Sequence, residues 1–156
     1  ADAAWPLAYT AYGLATSYHQ VAGTMQPIRE YGRGRGRRYG VPGQHNGQVA
    51  YGRGYVQLTH AANYAKMDER LGLNGRLIAN YDLALDPDIA AQIMIVGMAE
   101  GLFTGKKLSD TLAATGPATE AQFIASRPIV NGKDKDRLIA GHAMVFQDAL
   151  QKGLWK

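Results

Sequence analysis

Apolar residues recur at helical spacing in several stretches of the chain and fade between them. From Leu7 to Ala22, the positions Leu7, Ala11, Leu14, Tyr18 and Ala22 fall on one stripe. Pro6 suits the first turn and Gly23 the end, so a first helix is predicted there. A second helix is expected from Gln57 to Leu71, closed by Gly72. Asp86-Pro87 opens a third, to Phe103, which is apolar nearly all round and therefore expected in the core. A shorter helix from Thr119 to Ser126 must stop before Pro128, because a residue preceding proline is pushed out of the helical region. The last, Asp134 to Gln151, is expected to place Leu138, Ile139, His142, Val145, Phe146, Ala149 and Leu150 on one face. Between Tyr31 and Gly54 glycine is dense and the periodicity disappears, which predicts a long loop with room for a short hairpin between Gly40 and Tyr51. Convincing alternating strands and internal repeats are absent, so the fold is read as mainly α.

Composition narrows this picture. A chain of 156 residues, 46% hydrophobic, suffices for one domain with its own core and offers no apolar run long enough for a membrane span. The absence of cysteine removes disulfides and thiolate metal sites. His45, His60 and His142 lack a carboxylate-supported metal spacing, so neither metal nor cofactor is expected. The opening Ala1-Asp-Ala-Ala-Trp-Pro6 predicts no secretory signal. The net charge of +4 implies attraction to an anionic partner: nucleic acid, a phospholipid surface or the acidic peptides of a bacterial wall.

The candidate chemistry lies in two stretches. Glu30 stands at the mouth of the glycine-rich loop among polar neighbours, where it could serve as a proton-transfer carboxylate or simply partner one of the nearby arginines. Gln20 follows His19 at the end of the first helix; a glutamine has nearly the shape of glutamic acid but no titratable proton, so it can bind an oxygen and cannot act as a general acid. In Gly52-Arg-Gly-Tyr-Val-Gln-Leu-Thr-His-Ala-Ala-Asn-Tyr64 the glycines permit a sharp turn. With a helix starting near Gln57, the residues Gln57, Thr59, Asn63 and Tyr64 form a polar edge suited to N-acetyl sugars. Glu100, inside an apolar helix, is expected to be a buried acid paired with Arg53 or Arg127. Arg33-Gly-Arg-Gly-Arg-Arg38 has the look of a nucleic-acid segment, though a cleft-lining loop facing an anionic wall polymer is the preferred reading.

Taken in order, Ala15-Thr-Ser-Tyr-His-Gln20, Pro27-Ile-Arg-Glu30, Tyr51 to Tyr64 and Ile129-Val-Asn-Gly132 resemble glycoside hydrolase family 19. That family contains chitinases and the lysozyme-like endolysins of bacteriophages. The lack of the cysteines and extra loops of plant chitinases makes the chain look like the compact endolysin branch. The resemblance implies a mainly α, compact, bilobal lysozyme-like fold with a central cleft, and a single catalytic domain over residues 1–156. It also implies an inverting mechanism with a general acid at the position of Gln20 and a general base at Glu30. His19, Gln57, Thr59, Asn63, Tyr64, Asn131 and Arg137 match positions expected to hold sugar, and among them Gln57, Thr59 and Asn63 could hold either sugar or the attacking water.

One departure outweighs the agreements, since the family has a glutamate where this chain reads Gln20. The chain as written is expected to be inactive or nearly so, through either an engineered Glu→Gln exchange that traps substrate or a natural change in a wall-binding relative. Ala62, where chitinases often carry an aromatic sugar contact, weakens the case for chitin. The expected function is thus that of a peptidoglycan hydrolase of muramidase type. It would be a monomer made in the host cytoplasm and act on the bacterial wall after release, without membrane insertion and without nucleic acid.

Overall fold

A computed structural model of the chain describes residues 5–44, 46–130 and 132–155. It is mainly α, with α1 (Leu7–Gln20), α2 (Ala61–Arg70), α3 (Arg76–Ala79), α4 (Pro87–Glu100), α5 (Glu120–Ala125) and α6 (Asp136–Lys152). Two short strands, β1 (Ile28–Arg29) and β2 (Arg53–Gly54), pair antiparallel, with Ile28 opposite Gly54 and Arg29 opposite Arg53. The residues group into two compact units: one runs to His19 and resumes at Val96, and the other is Gln20–Ile95.

In the first unit, α6 packs on α5. Helix α5 is set by a capping box: Thr119 accepts from the Gln122 N–H while Gln122 Oε1 accepts from the Thr119 N–H. Tyr12 of α1 stacks on Phe123 of α5, rings 6.0 Å apart. The buried stripe of α6 is Ile139, Ala140, Ala143 and Gln147, so it is rotated from the predicted face, leaving Leu138 and Val145 exposed. The cause is Gln147. Its amide accepts from the Ala118 N–H and donates to the Ala118 C=O, which lets a polar side chain occupy the core in place of Val145.

In the second unit, a buried carboxylate and a half-buried amide organise the chain. Asp68 of α2 accepts from the N–H groups of Gly75, Leu77 and Ile78, satisfying the start of α3, whose own sequence has no capping side chain. Gln48 donates to the carbonyls of Ile78 and Ala79 and accepts from the Tyr81 N–H, fastening the long loop to the turn that follows α3. The expected hairpin between Gly40 and Tyr51 is not the dominant feature of that loop. The strand pairing instead closes the loop at its base, where apolar Ile28 and the buried Arg53–Gly54 pair meet.

Other boundaries shift for local reasons. Helix α2 starts at Ala61, four residues after the expected Gln57, because Gln57 (φ 55°) and His60 (φ 73°) lie in the left-handed region, where no helix can run. Helix α4 ends at Glu100, short of Phe103, since Gly101 takes a positive φ of 71°. It buries Ala90, Ile93 and Met98 but exposes Ile95, so it is less enclosed than its composition implies. Glu100 is exposed, not a buried acid; Asp82 lies beside Arg53 and Asp134 beside Arg127. No helix among the described residues is long and apolar enough to cross a membrane.

Candidate functional site

The β1–β2 pairing extends by one step beyond the strands, where Glu30 N–H donates to the Gly52 C=O at 2.7 Å. This brings the Glu30 side chain over the turn that follows Tyr51. Its carboxylate is gripped from both sides: the Tyr39 hydroxyl donates to Oε1 and the Gly52 N–H to Oε2, each at 2.9 Å. Burial, and then the bond to Glu30, pushes the Tyr39 phenol above its ordinary range, so at neutral pH it remains a donor. Sequence reasoning missed Tyr39, because it lies nine positions beyond Glu30, across a run of glycine and arginine.

The loop that delivers Tyr39 is wound from successive tight turns. Arg33 N–H bonds to Glu30 C=O, Arg35 to Gly32, Arg37 to Gly34, and Gly40 to Arg37. Gly34 and Gly40 touch backbone to backbone, and a Cβ at Gly40 would overlap the Gly34 carbonyl oxygen. The winding therefore requires glycine there, and it leaves Arg33, Arg35, Arg37 and Arg38 exposed.

Beneath Glu30 lies a second group of polar atoms. Gln57 Nε2 donates to the carbonyls of Ile28 and Gly54, which directs its Oε1 toward Gly52. Thr59 spends its proton on the Gln57 carbonyl at 2.8 Å, and its oxygen also faces Gly52. A methyl group on Gly52 would meet Gln57 Oε1 at 2.9 Å and Thr59 Oγ1 at 3.3 Å, so the glycine keeps this corner open. Asn63 Nδ2 donates to the Thr59 carbonyl. Glu30, Gln57, Thr59 and Asn63 thus form one connected cluster, although Gln57 and Thr59 precede α2 and are not on it. The cluster combines a fixed carboxylate with two neighbouring acceptor oxygens.

Behind it, Arg53 is the brace. The side chain is 5% exposed, with Nε on Asp82 Oδ1 at 2.8 Å and Nη1 donating to the carbonyls of Val49 and Tyr51 and to the Tyr64 hydroxyl. Its guanidinium lies 3.6 Å from the centre of the Tyr51 ring. The bond from Arg29, reinforced by Arg53, holds the Asp82 carboxyl below its usual range. Tyr64 belongs to this brace and not to a sugar-facing edge. It is 0% exposed, donates to the Tyr51 carbonyl and stacks on Tyr81, which corrects its expected role as a substrate contact.

Gln20 is the half-buried last residue of α1, and the boundary between the two units falls between it and His19. Burial, then the charge of Arg127, lowers the His19 imidazole below its ordinary range, so it is held neutral at neutral pH. Arg137 is exposed in the first turn of α6. Asn131 lies outside the described residues.

Compared with solved structures, the chain is similar to chitinase C from Streptomyces griseus HUT6037, with a TM-score of 0.67 over 93% of this chain and 22% sequence identity. The two share a fold. This chain spans 60% of the length of that chitinase. No family model matches the sequence, and no curated protein does. The lysozyme-like, mainly α architecture implied by the motifs therefore stands on three-dimensional likeness.

Proposed function

We propose that this protein is built to hydrolyse the β-1,4-linked glycan of bacterial peptidoglycan by an inverting mechanism, with Glu30 as general base, and that Gln20 disables it. The observation that carries this reading is the grip on Glu30. A carboxylate that accepts from Tyr39 and Gly52 is held in place and aimed, as a group that must take a proton from water requires. Gln57 Oε1 and Thr59 Oγ1 are acceptors at Gly52, the residue whose N–H bonds Glu30. A water there could give one hydrogen to each side and direct its lone pair at an anomeric carbon.

In this scheme a glutamic acid in place of Gln20 protonates the departing glycosidic oxygen while Glu30 takes the proton of the attacking water, and the anomeric configuration inverts. Glutamine cannot supply that proton, so the present chain holds its substrate without cutting it. The positive charge favours adsorption to an anionic wall. Synthesis in a host cell and release to the wall as a monomer complete the reading. A chitin-cleaving variant of the same reaction is favoured by one observation, the likeness to a chitinase. A purely wall-binding role is favoured by Gln20 itself.

The test is Gln20→Glu. Turnover of peptidoglycan with inverted product should appear, and adding Glu30→Gln should remove about 10²–10⁴-fold of it. Continued inactivity of a folded Gln20→Glu protein defeats the disabled-enzyme reading, and clearing of chitin without wall assigns the substrate to chitin.

A further inference from the structure

Beside the Tyr39 ring is a recess of about 210 Å³, with Arg38, Tyr39, Val41, Ala50 and His60 in its wall. Its polar inventory is one-sided. The Tyr39 hydroxyl is committed to Glu30 and the Gln48 amide is committed to Ile78, Ala79 and Tyr81. What is left to meet a ligand is the guanidinium of Arg38 and the imidazole of His60, both on exposed residues, against the apolar surfaces of Val41 and Ala50.

His60 is held there against local preference. It is the N-cap of α2, a position where Ser, Thr, Asn or Asp would bond the first turn, yet it makes no side-chain cap bond. Its φ of 73° is unfavourable for a residue with a Cβ. Its N–H bonds to the Ala50 carbonyl, and its ring packs edge-on against Tyr39 at 5.0 Å. The backbone strain therefore serves to bring an imidazole to the recess wall, in keeping with the tendency of strained residues to mark functional sites.

We propose that this recess binds a small carboxylate-bearing substituent on the sugar handled by Glu30, of the kind a lactyl ether carries. Arg38 and His60 take the carboxylate, and Val41 and Ala50 take the methyl group. The inference rests on the glycan reading of Glu30 and adds to it the feature that separates muramic acid from plain N-acetylglucosamine. Because Tyr39 both holds Glu30 and walls the recess, a filled recess would also steady the general base.

The protein as it stands suits the experiment, since a chain that does not cut can be titrated. Calorimetry would compare a short chito-oligosaccharide with an oligosaccharide of equal length whose alternate sugars carry the 3-O-lactyl group. The lactyl form should bind about tenfold tighter, the scale of one exposed charge-assisted contact. Arg38→Gln should abolish the difference while leaving the neutral oligomer unchanged, and Val41→Trp, which fills the recess, should do the same. Equal affinity for the two sugars, or a preference that survives both variants, overturns the recess and leaves the glycan reading standing. Binding of neither sugar overturns both.

Discussion

The phenol of Tyr39 donates to Glu30 Oε1 at 2.9 Å, from a position nine residues further along a loop wound back on itself. The bond joins the two ends of the glycine-arginine segment and fixes the carboxylate to which the proposed chemistry is assigned.

Replacing Tyr39 by Phe should therefore cost function without much cost to the fold. In a Gln20→Glu background we expect wall hydrolysis to slow by roughly tenfold, the size of one hydrogen bond to a partly exposed charge. The pH profile carries the sharper test. Below its raised titration range the Tyr39 phenol donates; above it a phenolate would face the Glu30 carboxylate. Activity should fall on the alkaline side with Tyr39 present and lose that limb with Phe. A rate unchanged by Tyr39→Phe would remove the residue from the site.

Asp82 and Arg29 allow the brace to be weighed. Asp82→Ala deprives the buried Arg53 of its carboxylate, and a destabilisation of about 1–3 kcal/mol is expected in denaturant unfolding. Arg29→Ala breaks only an ion pair between side chains 43% and 44% exposed, worth less than about 1 kcal/mol. The Asp82 contribution is present above the ordinary pKa of 3.8 and is lost as pH falls through the lowered value. Equal effects of the two substitutions would contradict this assignment.

Alkaline stability should be dominated by buried phenols. Burial pushes Tyr12 up to about 12 and raises Tyr64 further. A raised folded value means that the stability is intact below the unfolded value of 10.0 and is lost as pH climbs through the folded one. Melting temperature should accordingly drop between pH 10 and about 12, and Tyr12→Phe should flatten part of that drop. A flat profile to pH 12 in the parent protein would refute this account.

The arginine run is also testable. Arg33, Arg35, Arg37 and Arg38 are exposed and lack carboxylate partners among the described residues, so they should act as a long-range attractor. Changing all four to Gln should weaken adsorption to cell walls at low salt and flatten its salt dependence. If single-stranded DNA displaces wall fragments at equal charge concentration, the loop is a nucleic-acid surface instead.

Much of the helical skeleton was legible in the sequence because its signals are local. Pro6, Asp86-Pro87 and the residues before Pro128 mark ends that depend on the backbone of a few neighbours; α1 and α4 begin where those signals put them, and α5 stops before Pro128. The grouping of Glu30 with Gln57, Thr59 and Asn63 was expected from motif resemblance alone, not from spacing. Where two local readings competed, sequence reasoning chose wrongly. The polar edge from Gln57 looked helical, but left-handed backbone at Gln57 and His60 delays α2, and Tyr64 turns inward to Arg53. On α6 the apolar stripe pointed to Val145, yet the bonds of Gln147 to Ala118 decided which face is buried.

By itself, then, the sequence determined a mainly α chain, a glycine-rich loop beginning at Glu30, and a glutamine following His19 at the end of the first helix. Tertiary structure alone decided that Tyr39 and Gly52 grip Glu30, that Asp82 secures Arg53, and that His60 turns its ring toward a recess. The reason is one of range. Helix propensity and capping act over four residues or so, whereas these bonds join groups 9 to 29 positions apart, and nothing in the intervening chain specifies them until the loop has closed.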